Sequence, residues 1–219
     1  MTSKLELVRK HGSMRERLIV ALDVDDLEKA AELVRQLAGE VGMFKIGKQL
    51  FTHAGPQAVR QIQELGGEIF LDLKFHDIPN TVAKAAIEAT RLGVKMFNVH
   101  ASGSLEMMRL TAKEVRRVCR QQKLRKPIML AVTVLTSLNQ DDLKRVGVER
   151  KVADQVVRLA LLTKEAGMDG VVASPHEVAR IRKECGPIGD PQLHAQCMAS
   201  FGQNEPAMYG SSIPPNRGY

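Results

Sequence analysis

From Arg17 onward the chain repeats one pattern: a short apolar run, a polar or turn residue, then a longer segment with apolar side chains near i, i+3, i+4 and i+7. The apolar runs are LIVALD (18–23), GMFKIG (42–47), EIFLDLK (68–74), KMFNVH (95–100), PIMLAVTVLT (127–136) and DGVVAS (169–174). The segments between them, DDLEKAAELVRQLAGE, GPQAVRQIQELGG, PNTVAKAAIEATRLG, SLEMMRLTAKEVRRVCRQQ and VADQVVRLALLTKEAG, predict helices. Strands alternating with helices in this way must run parallel, because a parallel connection needs a crossover of about a dozen residues or more.

Two architectures meet that constraint, an open doubly wound sheet and a (β/α) barrel. Asp23, Lys45, Lys74, His100, Thr136 and Ser174 each fall at or near the C-terminal end of an apolar run, and in a barrel those ends converge on one site. The GxGxxG fingerprint common in open nucleotide-binding sheets does not occur in the chain. The predicted fold is therefore α/β, a (β/α)8 TIM-barrel type, with about six β/α units evident across residues 17–185. Residues 1–16 read as an N-terminal extension, and Met1 and Met14 are both candidate starts. Residues 186–219 carry five of the nine prolines and no apolar run resembling a further strand, so they read as an irregular or disordered tail. A barrel halted there would expose the edges of strands one and six, an aggregation hazard.

Composition narrows the partners. The net charge of +7 admits a polyanion or a phosphorylated small molecule, but Arg116, Arg117, Arg120, Lys123, Arg125 and Lys126 lie on and just after one amphipathic helix, as a solvated face does. With 4% aromatic residues and no Trp, few rings are on hand to stack on bases, and no nucleic-acid partner is expected. No apolar stretch approaches membrane-spanning length, and the first sixteen residues lack a signal-peptide core. Cys119, Cys185 and Cys197 are odd in number and form no CxxC pair, which fits a reducing compartment and a cytoplasmic protein.

The richest chemistry lies in DLKFHDIPNT (72–81). Side chains alternate along a strand, so Phe70, Asp72 and Lys74 point into the barrel while Ile69, Leu71 and Leu73 face the helices. Asp77 follows past the strand end, ahead of Pro79 in the first turn of the next helix. Lys45, at the end of the adjacent strand, completes an alternating array of Lys45, Asp72, Lys74 and Asp77. Buried charges persist only when paired, so a purely structural ion network is one reading. The other is cofactor-free decarboxylation: a fixed carboxylate beside a substrate carboxylate disfavours the ground state, and a neighbouring ammonium stabilises the developing carbanion and supplies the replacing proton. Asp23 reads either as a ligand or as the cap of the DDLEKAAEL helix, and Thr136 or Ser137 either as contacts or as caps of DDLKRVG. His76 and His100 read as core or rim histidines. His53, His176 and His194 show no ligand spacing, and no metal is assigned.

Taken in order, LIVALD, FKIG, IFLDLKFHDIPNT, VTVLTS and DGVVAS resemble the orotidine 5'-phosphate decarboxylase family over about Arg17 to Glu184. The resemblance implies that Lys74 protonates C6 of the pyrimidine, that Asp72 opposes the departing carboxylate, that Lys45 orders the array and contacts ribose, and that Asp23 lies near the ribose hydroxyls. It implies further that Asp77, Ile78 and Thr81 serve the neighbouring subunit's site in a homodimer, that Thr136 contacts the base, and that no cofactor is used. The family's Thr-Pro-Gly-Ile-Arg-like loop and the Gly-Arg that grips the 5'-phosphate have no match in residues 186–219, as expected of a frameshifted or prematurely ended coding sequence. Two alternatives stay open: an impaired or inactive remnant lacking the phosphate gripper, and a magnesium-dependent sugar-phosphate decarboxylase of a related barrel, against which HDIPNT argues.

Overall fold

A computed structural model of the chain describes residues 15–186, 197–202 and 205–208. Six strands, β1 (Leu18–Ala21), β2 (Met43–Gly47), β3 (Ile69–Phe75), β4 (Met96–His100), β5 (Ile128–Val132) and β6 (Gly170–Val172), pair in sequence order and run parallel. The helices are α1 (Leu27–Leu37), α2 (Lys48–Ala54), α3 (Pro56–Glu64), α4 (Pro79–Arg91), α5 (Leu105–Gln122), α6 (Gln140–Arg145), α7 (Val152–Glu165) and α8 (Val178–Cys185). The architecture is the α/β barrel type that the alternation predicts, and all five predicted helical segments are helical.

Alternation along the strands sorts side chains into two layers. Ile19, Met43, Phe70 and Met96, from four neighbouring strands, form a small cluster with Ile128 and Leu130 packed on it. Val20, Phe44, Ile46, Ile69, Leu71, Phe97 and Val99 join the large cluster shared with the helices. The first set lines the inside of the curled sheet and the second faces the helix layer, which is the two-sided burial that parallel strands require.

Local chemistry explains where the elements depart from the pattern. The fifth apolar run extends to Thr136, but β5 stops at Val132: its partner β6 ends at Val172, whose carbonyl takes the last ladder bond from the Thr133 N–H and a second from Thr133 Oγ1, both at 3.1 Å. Gly55, at φ +59°, separates the unpredicted α2 from α3, whose first residue is Pro56.

Strands also occur where an irregular tail is expected. β7 (Cys197–Gly202) pairs parallel with β1, and β8 (Glu205–Met208) pairs antiparallel with β7. The CMASFG segment has little β-favouring character of its own beyond Phe201. Its partner supplies the reason, since the open edge of β1 presents backbone donors and acceptors that a further strand satisfies. The edge of β1 is thereby covered, while β6 ends the described sheet on the other side. Residues 1–14 and the remainder of 187–219 lie outside the described residues.

The basic face around α5 is partly paired: Arg117 pairs with Glu114, Arg125 with Glu68 and Lys126 with Asp169, and Arg116 bonds the Gly167 carbonyl. No described helix is long and apolar enough to cross a membrane. Cys119 and Cys185 are buried and free, and burial pushes both thiols up. The inner cluster is too small to refill a gap, so Phe70→Ala is expected to lower stability by about 3–5 kcal/mol, read from the urea midpoint at unchanged slope.

Candidate active site at the strand ends

Strand register places the charged residues before any side-chain geometry is considered. Ala21, Lys45 and Phe70 are aligned across β1, β2 and β3, and Gly47 is aligned with Asp72 one layer higher. Lys45 therefore rises from below into the layer of Asp23 and Asp72. Its Nζ donates to Asp23 Oδ1 at 3.0 Å and lies 3.7 Å from Asp72 Oδ2. Gly47 makes this possible: a Cβ there would stand 3.3 Å from Asp23 Oδ1 and 3.6 Å from Lys45 Nζ.

On β3 the regular ladder breaks. The register with β4 shifts between Leu71 and Phe75, and Lys74 adopts φ +52°, a left-handed conformation that costs a non-glycine residue about 1–2 kcal/mol. The Lys74 N–H, taken out of the ladder, donates instead to Asn98 Oδ1 at 2.8 Å, and Asn98 Nδ2 donates to Asp72 Oδ1 at 2.6 Å. The Lys74 ammonium closes the ring with a 2.7 Å bond to the same oxygen. Asn98 thus holds both the backbone of the lysine and the side chain of the aspartate.

The Asp72 side chain is 7% exposed against 40% for Asp23. Burial alone would raise its pKa, but hydrogen bonds from Lys74 and Asn98 and the charges of Lys74 and Lys45 outweigh that penalty and hold the carboxyl below the usual range. The result is a buried, ionised carboxylate touching an ammonium, at the C-terminal mouth of a β/α barrel.

A family model described as orotidine 5'-phosphate decarboxylase / HUMPS family matches residues 16–193. The chain belongs to the orotidine 5'-phosphate decarboxylase / HUMPS family. A protein of Syntrophotalea carbinolica named orotidine 5'-phosphate decarboxylase is 59% identical over 172 residues, which are 78% of this chain and 70% of that protein. One of the same name from Moorella thermoacetica is 52% identical over 183 residues, 83% of this chain and 72% of that one. The crystal structure of orotidine 5'-phosphate decarboxylase from Lactobacillus acidophilus is similar with a TM-score of 0.71 at 36% identity, covering 79% of this chain and 76% of that chain.

Within this family member, Asp23, Lys45, Asp72 and Lys74 come together, and Asn98 joins them. Asn98 lies on the inward face of β4 two residues before His100, so the same alternation that singled out strand-end polar residues could have found it. Asp23 is not a helix cap: Asp26 caps α1, accepting from the Lys29 N–H at 2.8 Å. Asn139, not Thr136 or Ser137, caps α6 through a reciprocal bond with Asp142.

Asp77 stands outside the array of this chain. The strand ends at Phe75, and in the turn before Pro79 the Asp77 carboxylate accepts from the Ile78 N–H at 2.6 Å. Asp77 and Thr81 are exposed, Ile78 is 67% exposed, and Thr136 is exposed in the turn after β5. Among the described residues, no group of three or more His, Cys, Asp or Glu side chains is placed to hold a metal ion.

Asn98→Ala strands the Lys74 N–H and removes a donor to Asp72, which should cost about 1–3 kcal/mol in chemical denaturation. The native Asp72 pKa is depressed, so its contribution to stability is fully present above the ordinary value of 3.8 and is lost as pH falls through the depressed native value. In Asn98→Ala that native value rises, and the acid-dependent part of the stability, measured by denaturation from neutral to strongly acidic pH, should shrink. For Gly47→Ala, whose φ of −87° is ordinary, the expected defect is crowding of the Asp23–Lys45 pair. It should appear as weakened substrate-analogue binding in calorimetry, with the urea midpoint little changed.

Proposed function

We propose that the chain decarboxylates orotidine 5'-phosphate to uridine 5'-phosphate in pyrimidine biosynthesis, as a cytoplasmic, cofactor-independent carbon–carbon lyase. The observation that carries the reading is the buried Asp72 carboxylate, kept ionised and 2.7 Å from the Lys74 ammonium. Relatives that share 52–59% of their aligned residues with this chain bear the name of that activity.

The chemistry follows from charge. A substrate carboxylate brought against Asp72 meets a negative group whose own pairing prevents it from escaping into protonation, so the bound ground state is disfavoured. Breaking the C6–carboxyl bond releases neutral carbon dioxide and leaves the electron pair on C6. That removes the repulsion and places the new negative charge beside Lys74. An N–H proton of Lys74 passes to C6, and the resulting amine takes its replacement from solvent. Lys45, tied to Asp23 and close to Asp72, keeps the array aligned, and Asp23 with Lys45 offers hydrogen-bonding groups to ribose. Thr136 serves the base.

Asp77, Ile78 and Thr81 are read as completing the site of a second copy of the chain. Their exposure supports this, together with an apolar Ile78 in an otherwise polar turn. The magnesium-dependent alternative has less support, since the names borne by these relatives point to the nucleotide substrate.

Loss of orotidine 5'-phosphate absorbance should be catalysed by the full chain and survive a chelator, and Lys74→Ala should reduce turnover by about 10²–10⁴-fold. Absence of Lys74-dependent turnover would sink the enzyme reading in favour of an inactive remnant. A mixture of Lys74→Ala and Asp77→Ala proteins, each inactive alone, should recover roughly a quarter of wild-type sites if Asp77 acts across a dimer. No recovery in a mixture shown by sedimentation to exchange subunits would count against the shared site.

A further inference from the structure

Past the bulge, two histidines that the charge array does not use face each other from neighbouring strands. Nδ1 of His76 lies 3.1 Å from Nδ1 of His100, and the rings meet edge to face with centroids 5.3 Å apart at 83°. His76 immediately precedes Asp77, and His100 ends β4. Gly103 leaves the space: a Cβ there would stand 3.4 Å from His76 Cδ2 and 2.3 Å from the Met107 sulfur.

Two imidazole nitrogens at this separation share one proton. The other nitrogen of His100, Nε2, is buried with no hydrogen-bond partner among the described residues. A buried N–H without an acceptor is the less tolerable kind of orphan, so the proton belongs on His100 Nδ1, which donates to His76 Nδ1. His76, exposed as a residue, then carries its own proton on Nε2.

We propose that this hydrogen bond is a positioning device, fastening the His76–Asp77–Ile78 turn to the end of β4 and so setting where Asp77 and Ile78 stand when presented to a second subunit. It rests on the shared-site reading above and deepens it. His76 and His100 are positioning residues that act through Asp77 and Ile78.

The device has an acid limit. A proton added to the acceptor nitrogen of His76 sets N–H against N–H, and one added at His100 Nε2 creates a buried donor without an acceptor. The groups around His100 act in the same sense. Burial, then the charges of His76, of Lys48 on α2 and of Lys74 on β3, hold it below the ordinary 6.5, with Asp72 opposing. A histidine with a depressed native pKa supports the folded state above its ordinary value, and that support is lost as pH falls.

The test is NMR of the full chain, labelled with 15N at its imidazoles and amides, from about pH 5 to pH 8, in the wild type, His76→Asn and His100→Gln. At neutral pH, His100 should be protonated on Nδ1 and titrate below 6.5, and the Asp77 and Ile78 amides should shift with the same midpoint. In His76→Asn, an exposed substitution that spares the core, the His100 midpoint should move toward 6.5 and the amide step should vanish. A His100 ring protonated on Nε2 at neutral pH, or amides at Asp77 and Ile78 that ignore the His100 step, would overturn the proposal. In the turnover arm, His76→Asn should lower kcat several-fold and displace the acid limb of its pH profile, with KM changing less. A wild-type profile retained by that variant would likewise overturn it. A wild-type chain without turnover would instead overturn the functional reading, while the NMR result still decides the hydrogen bond.

Discussion

A carboxylate taken out of water must have its charge answered by its surroundings, and the strand ends of this chain are organised around answering that of Asp72. Lys74 and Asn98 bond one of its oxygens, and Lys45 approaches the other. Without these groups burial would favour the protonated acid, which could not hold an ammonium in place. The apolar cluster of Ile19, Met43, Phe70 and Met96 beneath fills the inside of the sheet and leaves the charged layer one place to lie, at the mouth.

That arrangement has a conformational cost concentrated on Lys74. Lys74 has a left-handed backbone at the point where β3 slips its register with β4, and Asn98 compensates by accepting the displaced N–H. Strain of about 1–3 kcal/mol persists only where the surroundings over-determine the geometry. Here the flanking pairs Leu71 with Phe97 and Phe75 with Val99 do so. The same irregularity directs the chain toward the histidine pair and the exposed Asp77 turn, so the charge array and that turn share one local distortion.

Asp23, Lys45, Asp72 and Lys74 carry two charges of each sign, which makes the array of a single chain neutral. A carboxylate contributed by a second subunit would tip it negative, and the incoming substrate carboxylate further still. A site that promotes loss of carbon dioxide works by making that crowding worse in the ground state than in the transition state.

Much of this was legible in one dimension. Period-two alternation put Asp72 and Lys74 on the inward face, the spacing of apolar runs and helices required parallel strands, and charged residues at the strand ends marked the mouth. These features are local, so the order of residues determines them. What only the tertiary structure decided depends on contacts between distant segments. Asn98 acquires its role because the slipped register sets its amide against the Lys74 backbone, and Gly47 matters because of what stands beside it on β1 and β2. Asp77 leaves the array because β3 ends two residues earlier. Residues 197–202 form a strand because the β1 edge accepts one, through backbone groups that every residue type but proline shares and that side-chain patterns therefore do not record.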